Sequence, residues 1–178
     1  GAGGGTQAEQ TAAIMIGFEK ELQNNPADIV LVVGDVTSTM ACTIVAKKLN
    51  TKVAHVEAGI RSFDLTMPEE INRMVTDSIT DYFFTTSKTA NANLQQSGVK
   101  DGKIFFVGNT MIDTLLRNEH RFIQPEIWRM VNLREKEYFI MTLHRPANVD
   151  NESNLKALID EILDNSRGLP VLFPVHPR

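Results

Sequence analysis

Several large protein classes are excluded by what this sequence lacks. It holds a single cysteine, Cys42, which rules out an internal disulfide framework and a cysteine-anchored zinc site. Cys42 falls inside a helical pattern and reads as a small buried hydrophobe. No apolar run approaches the roughly 18 residues of a membrane span. Basic residues are not in excess: 18 Lys and Arg stand against 22 Asp and Glu, a formal net charge of −4, so no nucleic-acid surface is expected. A charged-then-apolar leader is missing too, and the expectation from sequence is a cytoplasmic protein. No Gly-x-x-x-x-Gly-Lys-Ser/Thr occurs, against a P-loop NTPase. No Gly-x-Ser-x-Gly occurs, against an α/β-hydrolase nucleophile elbow. The glycine-rich start, Gly1 to Gly5, follows no strand and is not a dinucleotide-binding loop.

What is present has the rhythm of an α/β protein. Over 178 residues, 42% are apolar and 22% charged, ordinary proportions for a globular chain. Ile14, Phe18 and Leu22 recur every four residues and predict a helix over about 7–23, closed by Asn24-Asn25-Pro26. Ile29 to Val33 is an unbroken β-branched and leucine run, the pattern of a strand buried on both faces. A helix over about 38–49 and a strand at Val53–Glu57 follow. Thr66-Met67-Pro68-Glu69 reads as a capping box with proline at the first helical position, and Ile71, Val75 and Ile79 form that helix's inward stripe. Tyr82–Thr86 and Ile104–Val107 are further strands, the helix between them capped by Ser87 and closed by Gly98. This alternation requires a parallel sheet with helices on its faces. After Gly108-Asn109 come a helix to about Phe122, a strand at Tyr138–Leu143, a helix over 152–164 and a strand at Pro170–Val175. The expected organisation is one α/β unit over 1–107 and the start of a second over 108–178. Two strands with an open edge do not complete a sheet, so the sequence is expected to be part of a longer chain.

Chemistry-bearing residues gather at the carboxyl ends of the strands, where open parallel sheets bind ligands. Asp35 follows Gly34 at the end of the first strand, placed either to cap the next helix or to serve a site. His55 and Glu57 are two apart on one strand, so both are expected on one face, and an ionisable pair there suits a site better than a core. Glu69, taken alone, is the return partner of the Thr66 capping box. His144-Arg145 follows a strand, and arginine's planar fork suits an anionic group. His176 repeats that placement. His55-Val56-Glu57 matches the His-x-Glu of zinc deaminases, but the Pro-Cys-x-x-Cys that completes such a site is absent. Carboxylates and a histidine facing one crevice with arginines nearby suggest acid–base work on a phosphorylated ligand.

Five blocks carry a resemblance: Gly34-Asp35-x-Thr-Ser-Thr, His55-Val-Glu-Ala-Gly-Ile-Arg-Ser, Pro68-Glu-Glu-Ile-Asn-Arg, Val107-Gly-Asn-Thr-Met-Ile-Asp, and His144-Arg145 before Pro174-Val-His176. Together they resemble the non-hydrolysing UDP-N-acetylglucosamine 2-epimerases, over about Thr11 to His176. The hydrolysing epimerases differ where this chain has His-Val-Glu-Ala-Gly. The resemblance implies two Rossmann-like domains in the glycosyltransferase-B architecture, both incomplete here, with a UDP-sugar in the cleft. It implies inversion at C2 of a UDP-HexNAc by elimination of UDP to a 2-acetamidoglucal and re-addition, with no redox cofactor and no metal. By motif, the catalytic residues are Asp35, Glu57, Glu69 and His144, with Arg145, His176, His55, Arg61 and Arg73 toward the substrate. No nucleic-acid or membrane partner is implied, and a homodimer is expected of the full-length enzyme.

The same resemblance implies an earlier strand with a Gly-Thr-Arg-Pro-Glu-like loop and a later Ser-x-Gly-x-x-Glu-Glu-type segment, neither within these residues. Catalysis by these residues alone is therefore not expected. The alternatives are an epimerase for a modified UDP-HexNAc, a glycosyltransferase of the same architecture, which would need an acceptor, and an inactive fragment.

Overall fold

The structure is a computed structural model and describes residues 3–143 and 146–175. Among them no helix is long and apolar enough to cross a membrane. The chain divides into two compact units, Gly1–Glu119 and His120–Arg178.

The first unit opens with α1 (Gln7–Asn24), whose start is set by a capping box between Thr6 and Glu9. There follow β1 (Ile29–Val33), α2 (Thr37–Lys48), β2 (Lys52–Val56), α3 (Pro68–Ile79), β3 (Tyr82–Thr85), α4 (Lys88–Gln96), β4 (Ile104–Phe106) and α5 (Thr110–Asn118). The strands form one parallel sheet in the order β1-β2-β3-β4. Because strand order follows chain order and such crossovers are right-handed, the connecting helices fall on one face. Under that face lie two apolar clusters. Leu22, Val32, Ala46 and Val53 join α1 and α2 to β1 and β2. Ala58, Phe83 and Leu94 join α4 to β3. Cys42 packs against the first cluster, and burial pushes its thiol up from the usual value.

Several local expectations change. β1 is an edge strand covered on one face only: Val32 is buried, while Leu31 and Val33 on the other face are exposed. Hydrophobicity alone did not distinguish a doubly covered strand from one covered once. The Thr66 capping box does not form. Met67 is the N-cap of α3 and makes no side-chain cap bond. The Thr66 hydroxyl instead donates to Asp64, which closes a turn before the helix. The inward side of α3 is not the apolar stripe. Ile71 is exposed, and the buried residues are Glu70, Asn72, Thr76 and Asp77. Glu70, Asn72 and Asp77 can occupy that side because loops at the sheet edge present hydrogen-bond partners to them, whereas the Thr76 hydroxyl is buried without a partner among the described residues.

The second unit contains α6 (Glu126–Met130), β5 (Phe139–Ile140), α7 (Pro146–Val149), α8 (Glu152–Asn165) and β6 (Val171–Leu172). β5 and β6 pair in parallel, shorter than the sequence runs predicted. Asn151 caps α8 by accepting from the Asn154 N–H. Trp128 packs edge-on to Tyr138, and its indole N–H donates to the Leu133 carbonyl.

Candidate active site

The carboxyl ends of β1 and β2 and the first turns of α3 come together at one edge of the first unit. The parallel register pairs Val33 with Val56, so Gly34-Asp35 and Glu57 emerge side by side. Asp35 does not cap α2: its N-cap is Val36, without a side-chain bond. The Asp35 carboxylate instead pairs with the Arg73 guanidinium, and its backbone carbonyl accepts from Asn72 Nδ2 at 2.8 Å. α3 thus clamps Asp35 from two consecutive residues. Thr39 anchors the other side, its hydroxyl donating to the Val33 carbonyl at 2.8 Å.

Glu57 leaves the strand. Its φ is 70°, a left-handed conformation that is uncommon for a residue with a side chain. The two-residue alternation therefore ends at Val56, and the expectation that His55 and Glu57 share one strand face does not hold. Their paths separate there. His55 is fully buried, with Nδ1 2.8 Å from Asp77 Oδ1 and Nε2 2.8 Å from the Gly34 carbonyl. Both ring nitrogens are committed internally, whereas the expectation from sequence had His55 toward the substrate. Arg61 is likewise held inside, with NH1 2.7 Å from Asp77 Oδ2 and donating to its neighbour's carbonyl at Ile60. Arg73 bridges Asp35 and Glu70.

The two adjacent glutamates of α3 have opposite fates. Glu70 is buried and fully engaged. It accepts from the Ser62 N–H at 2.9 Å, the Ser62 hydroxyl at 3.0 Å and the Phe63 N–H at 3.2 Å, with Arg73 NH1 at 3.0 Å. These bonds hold the loop that carries Phe63 at φ 60°. Glu69 is exposed, and among the described residues neither the Glu69 nor the Glu57 carboxylate has a hydrogen-bond or ion-pair partner. A carboxylate free of internal partners can exchange a proton with a ligand, whereas Glu70 cannot do so without releasing the loop.

Burial opposes ionisation of Glu70. The Ser62 and Phe63 N–H groups, the Arg73 guanidinium and the Ser62 hydroxyl outweigh it and hold the carboxyl below its ordinary 4.5. A carboxyl depressed in the folded state contributes stability that is present above its unfolded value and lost as pH falls through the folded one. Acid below about pH 4.5 is therefore expected to destabilise the first unit partly through Glu70. Glu70→Gln should show a shallower acid limb when unfolding is followed across a pH series. An identical acid limb would assign the dependence to other groups.

His144, Arg145 and His176 lie outside the described residues. Asp77, Glu70 and Asn72 are site-building residues that the sequence reading missed. A signal was available: Glu70, Arg73 and Asp77 recur at helical spacing, a polar stripe running along one side of α3. Among the described residues no His, Cys, Asp and Glu group is arranged to hold a metal ion.

A parallel α/β sheet with carboxylates gathered at its carboxyl edge, two of them without a partner among the described residues, defines an α/β protein whose candidate site suits acid–base chemistry. Comparison with known proteins gives the particular lineage. The family model described as UDP-N-acetylglucosamine 2-epimerase matches residues 1–178, and the chain belongs to that family. It is 42% identical to the UDP-N-acetylglucosamine 2-epimerase of Methanocaldococcus jannaschii, over 99% of this chain and 50% of that protein. It is 36% identical to the UDP-2,3-diacetamido-2,3-dideoxy-D-glucuronate 2-epimerase of Pseudomonas aeruginosa, over 98% of this chain and 49% of that protein. The crystal structure of the M. jannaschii enzyme in complex with UDP-GlcNAc and UDP superimposes with a TM-score of 0.86 at 43% identity, covering 99% of this chain and 50% of that one. The chain spans about half the length of the relatives it matches.

Proposed function

We propose that the protein containing this chain inverts C2 of a UDP-N-acetylhexosamine, converting UDP-N-acetylglucosamine to its manno epimer. The observation that carries the reading is that the Glu57 and Glu69 carboxylates have no partner among the described residues, at the sheet edge that also carries the Arg73-clamped Asp35. The C2 proton is weakly acidic, so its removal is coupled to departure of the anomeric oxygen. As the C2–H bond breaks, its electron pair forms the C1–C2 double bond, and the C1–O bond breaks with its electrons leaving on UDP. Re-addition reverses these changes after a proton arrives on the opposite face. Two faces need two proton-transfer groups, and Glu57 and Glu69 fill these roles. Asp35, fixed by Arg73, keeps negative charge beside the oxocarbenium-like sugar. His144 is assigned to the departing UDP by its place in the family motif. No redox cofactor takes part in this scheme. A homodimer acting in the cytoplasm, in supply of cell-surface polysaccharide precursors, completes the reading.

The Pseudomonas relative, by name an epimerase of a modified sugar nucleotide, makes such a UDP-HexNAc the second substrate to try. The test incubates the complete protein with UDP-N-acetylglucosamine in deuterated water and follows C2 by NMR. Deuterium at C2 and appearance of the manno epimer are expected without any acceptor. Turnover that depended on an acceptor would identify a glycosyltransferase instead.

A further inference from the structure

The buried His55 ring meets two acceptors. Nε2 lies 2.8 Å from the Gly34 carbonyl and Nδ1 2.8 Å from Asp77 Oδ1. A neutral imidazole offers one donor and one acceptor, and a carbonyl or an ionised carboxylate can only accept. Asp77 Oδ2 is itself surrounded by donors, the Gly59 N–H at 3.1 Å and Arg61 NH1 at 2.7 Å, which is the setting of an ionised carboxylate. A neutral ring would satisfy only one of its two contacts. We propose that His55 is held as an imidazolium donating from both nitrogens, and that His55 and Asp77 are positioning residues for Asp35 and Glu57. The kinetic part of this inference rests on the epimerase reading above.

The ring joins the pieces that carry the acids. Gly34 immediately precedes Asp35, His55 stands two residues before Glu57, and Asp77 lies on α3 with Glu69 and Arg73. One buried point therefore ties the ends of β1 and β2 to the helix. Asp77 also takes the Gly59 N–H, whose own carbonyl accepts from Asn93 Nδ2 at 2.9 Å, so the turn after Glu57 is fixed on both sides. Glu57 needs such fixing, because a left-handed φ of 70° at a residue with a side chain persists only where the surroundings over-determine it. Gly34, at φ 71°, directs its carbonyl to the ring. A Cβ placed there would stand 3.7 Å from Glu57 Oε2, so the carboxylate lies close to the residue that the ring holds.

Histidine side-chain ¹⁵N NMR of this chain tests the first half. Protons on both His55 nitrogens are expected, and a neutral tautomer would overturn the imidazolium. Asp77→Asn tests the second half. Scalar couplings of Glu57 should move away from those of a left-handed φ, and an unchanged coupling would overturn the positioning role whatever the enzyme does. If Asp77→Asn does not fold, His55→Gln, which keeps one donor, is read in the same way. In the complete protein, Asp77→Asn should lower kcat for C2 exchange by about 10²-fold, as misplacement of a reacting group does, with KM nearly unchanged. A loss confined to KM would count against positioning. If the wild-type protein showed no C2 exchange at all, the epimerase reading would fail, while the two NMR results would still decide this one.

Discussion

Gly59→Ala is expected to destabilise the first unit by roughly 2–6 kcal/mol, combining a strained left-handed backbone with overpacking. Gly59 has φ 78°. A Cβ there would stand 2.5 Å from the Ala90 carbonyl oxygen and 2.8 Å from Leu94 Cγ. The first of these is helix backbone, and both residues lie in the α4 face that is buried against the sheet. Neither can withdraw cheaply. Against a total stability of about 5–15 kcal/mol, such a loss would remove a large share of the margin. Gly98→Ala is the control: its φ is 86°, yet nothing lies within 4 Å of the added carbon, so only the backbone cost of about 1–3 kcal/mol remains. Urea unfolding of both variants separates the terms. A Gly59→Ala protein no less stable than Gly98→Ala would show that α4 yields to the clash.

Glu57→Gln should cut turnover of the complete protein by roughly 10²–10⁴-fold, the range of a lost general acid–base group, while leaving stability within about 0.5 kcal/mol. The separation of the two effects follows from the structure. The Glu57 carboxylate has no partner among the described residues, so an amide of the same shape breaks no folded contact. Asp35→Asn should differ, since it removes the negative charge that Arg73 pairs with and so loses stability together with activity. Deuterium incorporation at C2 reports the chemistry, and thermal unfolding reports the fold. Wild-type incorporation by Glu57→Gln would remove Glu57 from proton transfer.

These contrasts bear on the glutamate pair of α3. In sequence, Glu69 and Glu70 are equivalent neighbours. In the structure one residue is spent on the Ser62–Phe63 loop and the other faces outward. A successive pair on a helix points about 100° apart, so only the position of the loop decides which carboxylate remains free.

In the first unit the positions of the elements were legible in the residues themselves, while in the second α6 was not foreseen and the strands are shorter than their apolar runs. Period-four apolar residues in α1, the β-branched run of β1, Pro68 at the head of α3 and Ser87 at the head of α4 are local signals, and local sterics and hydrogen bonding read them the same way in any context. The crowding of Asp35 and Glu57 at strand ends followed from the same reasoning, because strand termini and parallel order need no knowledge of partners. Tertiary structure alone decided what those side chains do. The apolar stripe of α3 pointed to one inward side, yet Glu70, Asn72, Thr76 and Asp77 are the residues buried. Asp35 was free to cap a helix until Arg73 reached it, and His55 stood on the same strand face as Glu57 until the backbone turned. Each of these outcomes depends on a group distant in sequence meeting a buried donor or acceptor that must find a partner. Periodicity records which side chains avoid water, but it does not record where the loops will leave their N–H and carbonyl groups.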